Sequence, residues 1–275
     1  MTSNLPAPFQ ATVHSLGKQW FALPSWMPIP GLGLLVNHAF VHTGREPMLV
    51  DTGLGLFRDD FIDSLGTVLD PADLQWIWLS HADPDHTGNL ARVLELAPRA
   101  RVLAGMLGLA KLQLAGMDVS RFQVIAPGDE LEIGGRRLRA IRPPVYDAPE
   151  TLGFHDEQGV LYAVDSFGAL LPGVAQGLAD IDDSQLRDGL VAWGAIDAPW
   201  QADLDENLRQ RRFGAIETLA PELVLTAHLP LGRRSGARLA QAALAAGRRL
   251  PSDIAALQAV VRTHVAGSRD VAATA

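Results

Sequence analysis

The chain has 275 residues, ample for one substantial buried core, with 48% hydrophobic and 20% charged residues. A net charge of −8 argues against a nucleic-acid backbone or an anionic membrane as the main partner. Cysteine is absent, which excludes disulfides, thiolate metal sites, iron–sulfur ligation and cysteine nucleophiles, so any metal must be held by imidazole and carboxylate. The apolar runs are too short to span a bilayer. The first residues lack a basic segment and are interrupted by Pro6 and Pro8, so no secretory signal is expected and the cytoplasm is the expected compartment.

In chain order, strands are predicted at 11–15, 18–22, 35–42 and 47–50, separated by Gly and Pro signals. A helix follows at 57–68, then a strand apolar on both faces at 75–80, a short helix at 89–96, a strand at 101–103 and a helix at 106–117. Residues 129–141, with Gly134-Gly135 in the middle, read as a hairpin, and 154–164 as a second one turning at Gln158-Gly159. A helix at 204–219 leads into a strand at 223–226. Two alanine-rich helices are predicted at about 237–250 and 253–265, broken by Pro251-Ser-Asp253, with a frayed tail after Gly267. No linker or repeat demands a boundary. One α/β domain over 1–275 is expected, with sheets in the middle and a helical extension at about 236–266.

The stretch that carries chemistry is Ser80-His-Ala-Asp-Pro-Asp-His-Thr-Gly88. It leaves the C-terminal end of a buried strand and opens a helix, a position where loops hold ligands over a rigid sheet. His81, Asp83, Asp85 and His86 can all bind metal. Three further segments share one grammar, a hydrophobic strand delivering a polar side chain at its tip: Leu49-Val-Asp-Thr-Gly53, Ala163-Val-Asp-Ser-Phe-Gly168 and Leu223-Val-Leu-Thr-Ala-His228. Taken singly each is an Asx-turn or a loop histidine. Together they point to a metal site.

In this order and spacing, Asp51-Thr-Gly53, the His81–Gly88 cluster, Asp165 and His228 resemble the motifs of the metallo-β-lactamase superfamily, over about residues 10–232. The resemblance implies an αββα sandwich with a two-metal site at the edge where the sheets meet. His81 and Asp83 would bind one metal, Asp85, His86 and His228 the other, and Asp165 would bridge them. Asp51 would support the ligands from behind. Asp83 stands where most zinc hydrolases of the superfamily have histidine, and no histidine occurs in Pro143-Pro-Val-Tyr-Asp-Ala-Pro149. There Asp147 is the expected ligand, because Asp147-Ala-Pro-Glu-Thr resembles the His-Trp-Pro-Asp-Ser run of the flavodiiron proteins. Phe167-Gly168 after the bridging acid resembles those proteins as well. They place Glu where this chain has Asp83.

Charge counting separates the two kinds of site. A hydrolase with two aspartates around two Zn²⁺ keeps about two positive charges to polarise a carbonyl and acidify water. With Asp83, Asp85, Asp147 and Asp165 ionised, the carboxylates neutralise two divalent ions, and hard oxygen ligands favour iron or manganese. The leading expectation is a non-haem di-iron protein, an enzyme or an oxygen-binding protein, that binds or reduces O₂ or NO. The alternatives are a zinc- or manganese-dependent hydrolase of an ester, lactone, thioester or phosphodiester, and a binding protein with a degenerate site. Flavodiiron proteins carry a flavodoxin domain. The Ala/Arg-rich stretch after His228 has no flavin-phosphate loop, so no such domain is expected and a separate electron donor would serve. A homodimer is left open.

His38 and His42 lie on one face of a strand and are expected to be structural. His14, His155 and His264 are expected at the surface, and Trp76 and Trp78 in the core. Tyr146, Phe167, Trp193 and Trp200 are candidates for an apolar pocket over the metals, with core packing the favoured role for each one taken alone. Arg211-Arg212 and Arg233-Arg234 are expected to be solvated charges near helix ends.

Overall fold

The N-terminal half alternates short strands with helices in the manner of a parallel sheet, and the computed structural model, which describes residues 5–250 together with Ala259 and Arg262, shows how they assemble. Chain order is β1 (Phe9–Gln10), β2 (His14–Gly17), β3 (Trp20–Ile29), β4 (Gly33–His42), β5 (Met48–Val50), α1 (Arg58–Val68), β6 (Trp76–Trp78), α2 (Pro84–Thr87), α3 (Leu90–Leu96), β7 (Arg101–Ala104), α4 (Met106–Leu114) and β8 (Phe122–Val124). These strands form one sheet in the order β1-β3-β4-β5-β6-β7-β8, with β2 also paired to β3. From β5 onward the pairing is parallel.

The second half supplies β9 (Glu130–Ile133), β10 (Arg136–Ile141), β11 (Gly153–Asp156), β12 (Val160–Tyr162), α5 (Asp183–Asp197), α6 (Glu206–Leu219), β13 (Leu223–Leu225), β14 (Gly232–Arg233) and α7 (Gly236–Gly247). Its sheet runs β14-β13-β12-β11-β10-β9, with β12 and β13 parallel. Asp182 caps α5 by accepting from Ser184 N and Gln185 N, each at 2.8 Å, and Asp205 caps α6 through Leu208 N.

Three apolar clusters define four layers. Phe40, Val50, Trp78 and Leu103 of the first sheet meet Leu138, Phe154, Tyr162 and Leu225 of the second. The other face of the first sheet packs Val41, Leu49 and Ile77 on Phe61, Leu65, Leu90 and Val93 of α1 and α3. Leu161, Ala163 and Val224 pack on Leu186, Phe213, Ile216 and Leu239 of α5, α6 and α7. Strands buried on both faces read as continuous apolar runs, and for that reason 75–80 and 223–226 were visible in the sequence. The result is the expected αββα sandwich.

The differences have identifiable causes. The strand expected at 18–22 is the start of β3, which continues to Ile29 through Pro24 and Pro28. Those prolines read as breaks, yet a strand accepts proline where its missing N–H faces no partner. The strand expected at 11–15 is displaced to β2. The edge strands β8 and β14 carry too few residues to show alternation, and in α5 Gly189 and Gly194 obscure a helix with a clear cap. Of the helix expected at 253–265 only Ala259 and Arg262 are described, both helical, and the expected frayed tail and His264 lie outside the described residues. No helix among the described residues is long and apolar enough to cross a membrane.

Candidate metal centre

Parallel strands place successive C-terminal ends at one edge of a sheet, and the chemistry-bearing loops follow from that. Asp51 leaves β5, the 81–86 run leaves β6, Asp165 follows β12 and His228 follows β13. Asp147 arrives from the loop after β10. The backbone is constrained to make this possible. Asp51, Val164 and Phe167 have φ of 55°, 54° and 71°, left-handed conformations that cost non-glycine residues about 1–3 kcal/mol each and persist where the surroundings enforce them. At Gly88, a Cβ would lie 2.1 Å from Gly55 N, so only glycine lets the loop after α2 close against the Asp51 turn. Thr52 seals that contact, its N–H and Oγ1 donating to the His86 carbonyl at 2.7 and 2.9 Å.

All seven residues expected as ligands converge. His81, His86 and Asp165 form one cluster, Asp85, His86 and His228 a second, and His81, Asp83 and Asp147 a third, each with its donor atoms within 4.8 Å of one another. Asp165 Oδ1 lies 3.2 Å from both His86 Nε2 and His228 Nε2, and Oδ2 lies 3.7 Å from His81 Nε2. Asp147 Oδ1 is 3.6 Å from His81 Nε2, and Asp85 Oδ2 is 3.3 Å from His228 Nε2. His86 Nε2, Asp147 Oδ1 and both Asp165 oxygens are buried without a hydrogen-bond partner. Unpaired polar atoms at such depth are costly unless something else satisfies them. Nitrogens and oxygens that crowd together without bonding one another have the arrangement of ligands aimed at shared centres. The donor set fits a pair of metal ions.

Each histidine turns its Nδ1 to a supporting partner and its Nε2 inward. Asp51 accepts from His86 Nδ1 at 2.8 Å, from Ser80 N at 2.8 Å and Ser80 Oγ at 2.7 Å, and from the Tyr162 hydroxyl. His228 Nδ1 donates to the Val36 carbonyl at 3.0 Å, and Ser80 Oγ lies 3.0 Å from His81 Nδ1. Such outer partners fix tautomer and ring orientation, as in metal sites generally. Asp51 therefore supports His86, as expected. Asn37 was not anticipated: its Nδ2 donates to Asp85 Oδ2 at 3.2 Å.

The ionisation pattern shows what the site lacks in positive charge. Burial opposes charge on His228, yet Asp165 and Asp85 raise its pKa to about 10. His86 is likewise held well above its usual value, against burial, by Asp85, Asp165 and Asp51. The same contacts hold Asp85 and Asp165 below the usual carboxylate range. On the open side, burial and the charge of Asp147 push Asp83 up, and burial and the charge of Asp165 push Asp147 up. Burial also raises Asp197 to about 8, reinforced by the charge of Asp165. Without cations, protons on buried imidazoles balance the carboxylates.

Several supporting expectations change. Trp193 does reach the site, its ring 5.0 Å from His228, and Gly168 makes room for it. Phe167 is core, packed on Phe213. Tyr146 stacks on Trp200 at 5.2 Å, and Arg212 lies over both rings rather than in solvent, at mid-helix in α6. Arg233 and Arg234 pair with Glu222. Trp78 is fully buried, whereas Trp76 is only partly so, with Arg101 over its ring. His14 and His155 are half-buried, each keeping part of its surface exposed. His42 is structural as expected, receiving Arg136 across the sandwich, and Arg136 also binds Asp156 on the neighbouring strand of its own sheet. Asp197 carried no sequence signal, being one acid in a helix.

Comparison with known proteins agrees with this geometry. Residues 34–188 match the family described as ODP family beta lactamase. A putative diflavin flavoprotein A 2 from Nostoc is 32% identical over 133 residues, which is 48% of this chain and 23% of that protein. Flavo-diiron protein FprA2 from Clostridium acetobutylicum is 28% identical over 134 residues, 48% of this chain and 34% of that one. The chain thus aligns with about a quarter to a third of those relatives' length. Among solved structures, a flavoprotein from Thermotoga maritima superposes with a TM-score of 0.74 at 19% identity, covering 88% of this chain and 62% of that one. Rubredoxin oxygen:oxidoreductase from Desulfovibrio gigas gives 0.73 at 15% identity, covering 86% and 62%. The chain belongs to the ODP family of β-lactamase-like proteins and has the metallo-β-lactamase fold of the flavo-diiron proteins.

Proposed function

We propose that this protein is a di-iron protein that binds or reduces O₂ or NO. The observation that carries the reading is the composition of the convergent cluster: four carboxylates and three imidazoles, with no cysteine, around the paired carboxylate oxygens of Asp165. His81, Asp83 and Asp147 would hold one iron, Asp85, His86 and His228 the other, and Asp165 both. Bound irons would supply the electrons and the open coordination positions that O₂ or NO requires. The relatives named flavo-diiron proteins support iron over zinc.

The chain's own residues prepare the site. Asp51, Ser80 and Tyr162 lock His86, and Val36 locks His228, so ligand atoms need little reorganisation on loading. Trp193 covers His228 and limits water there. The mouth lies on the side of Asp83, Asp85 and Asp147, which are the partly exposed members. Residues 1–275 are taken as one metallo-β-lactamase-like unit in the cytoplasm, receiving electrons from a donor outside these residues.

The reading is tested by loading the protein with iron, reducing it, removing excess reductant and mixing it with O₂ or NO. Reoxidation by O₂ or consumption of NO, absent in Asp165→Ala, is the expected result. Inertness toward both gases, with hydrolysis of generic esters or phosphodiesters by a zinc form, would replace it with the hydrolase.

A further inference from the structure

His38, on β4, lines a cavity that the metal cluster does not use. The cavity measures about 670 Å³ and is lined by residues of β1, β2, β3 and β4 together with the 174–176 and 230–231 segments. That size is typical of small-molecule sites. Phe9, Trp26 and Val36 give it apolar walls, and His14, His38 and Gln176 give it polar groups. Among the described residues, sixteen line it and none is Asp, Glu, Lys or Arg. In a chain with 54 such residues among 275, counted as 23 basic and 31 acidic, that exclusion is chemically selective.

His38 is 5% exposed, and its Nδ1 is buried with no hydrogen-bond partner. Its ring stacks on Phe40 at 5.6 Å and lies against the Ala227 and Thr226 backbone. Burial lowers its pKa to about 3, so the ring is a neutral group with one donor and one acceptor. The cavity also backs onto the metal cluster. The Val36 carbonyl receives His228 Nδ1 at 3.0 Å, and His38 N–H donates to the Ala227 carbonyl at 2.9 Å. An occupant would press on the strand that fixes the His228 imidazole.

We infer that this cavity binds an uncharged aromatic small molecule carrying at least one hydrogen-bonding group, with its rings against Trp26 and Phe9 and its polar group toward His38. The inference is independent of which metal the neighbouring cluster holds.

Two fluorescent probes that differ by one charge test it on the full chain. N-phenyl-1-naphthylamine is uncharged and has one N–H; 1-anilinonaphthalene-8-sulfonate has the same rings with an added sulfonate. The uncharged probe should bind saturably at one site per chain, with energy transfer from tryptophan. The sulfonate should bind at least about tenfold more weakly, because the lining offers it no cation. Ala175→Trp, which fills the cavity from a loop, should weaken the uncharged probe at least about tenfold while metal content stays at the wild-type level. Ala11→Trp fills it from the opposite wall and serves if the first variant folds poorly. His38→Phe should weaken binding by about threefold to tenfold, the effect of one lost hydrogen bond. The proposal is overturned if the uncharged probe shows no saturable binding, if both probes bind equally, or if cavity-filling variants bind like wild type. Loss of binding in Leu114→Ser, at an exposed leucine on α4, would move the probe to that surface and overturn it as well.

Discussion

At the scale of single residues, the metal cluster behaves as a set of ion pairs awaiting larger cations. His228, raised to about 10, and His86, raised well above its usual value, are protonated at neutral pH in the metal-free protein. A metal can bind their Nε2 atoms only by displacing those protons. Loading at pH 7 should therefore release about two protons per chain, measurable as the dependence of calorimetric heat on buffer ionisation enthalpy. Affinity should fall as the pH falls, since protons compete more strongly. Metal uptake with no proton release would show that these imidazoles do not ligate. The seven clustered residues were legible because six of them stand in short local motifs at strand tips. Asp147 was found only through its Pro-containing context. Asn37 and Tyr162 were not legible as supporting groups: each reaches the site from a distant segment, and that proximity is created by the two sheets closing on each other.

Elements hold these residues through close backbone approach and through a few polar links across the sandwich. Gly88→Ala would drive a Cβ to 2.1 Å from Gly55 N and 2.6 Å from Gly53 O, backbone atoms that cannot swing aside. The substitution should cost on the order of 1–3 kcal/mol and displace His86, read as a lower thermal midpoint together with weaker metal retention. A wild-type midpoint with full metal would mean the loop tolerates a wider path. His42 supplies a pH test. Burial and the positive charge of Arg136 lower its pKa to about 4, so the unfolded chain binds a proton in a window where the folded chain does not. Stability should thus decline as the pH drops from about 6.5 toward 4, and His42→Leu should flatten that slope in urea titrations. An unchanged slope would assign the acid sensitivity to other groups. Element boundaries were legible wherever hydrophobic periodicity was strong, as in α1, β4 and the β9–β10 hairpin. They failed in α5, where two glycines dilute the pattern, and along β3, where Pro24 and Pro28 look like stops.

At the scale of the molecule, the sandwich is a device for bringing two sets of strand tips to one edge. One sheet delivers Asp51 and the His81–His86 run, the other delivers Asp147, Asp165 and His228, and the core of Phe40, Trp78, Phe154 and Tyr162 fixes their separation. The fold class could be read from the sequence because these tips keep their order along the chain. The cavity behind His228 could not, because its walls come from segments far apart in sequence. The proposed occupant of this edge is a pair of irons. The most direct measurement is Mössbauer spectroscopy with elemental analysis on protein purified from cells grown with ⁵⁷Fe. Wild type should hold about two irons per chain, as a coupled pair with no net spin when oxidised, and Asp165→Ala should lose that pair. Zinc at full occupancy with no iron in the cluster, or a single uncoupled iron that Asp165→Ala leaves unchanged, would contradict that proposal.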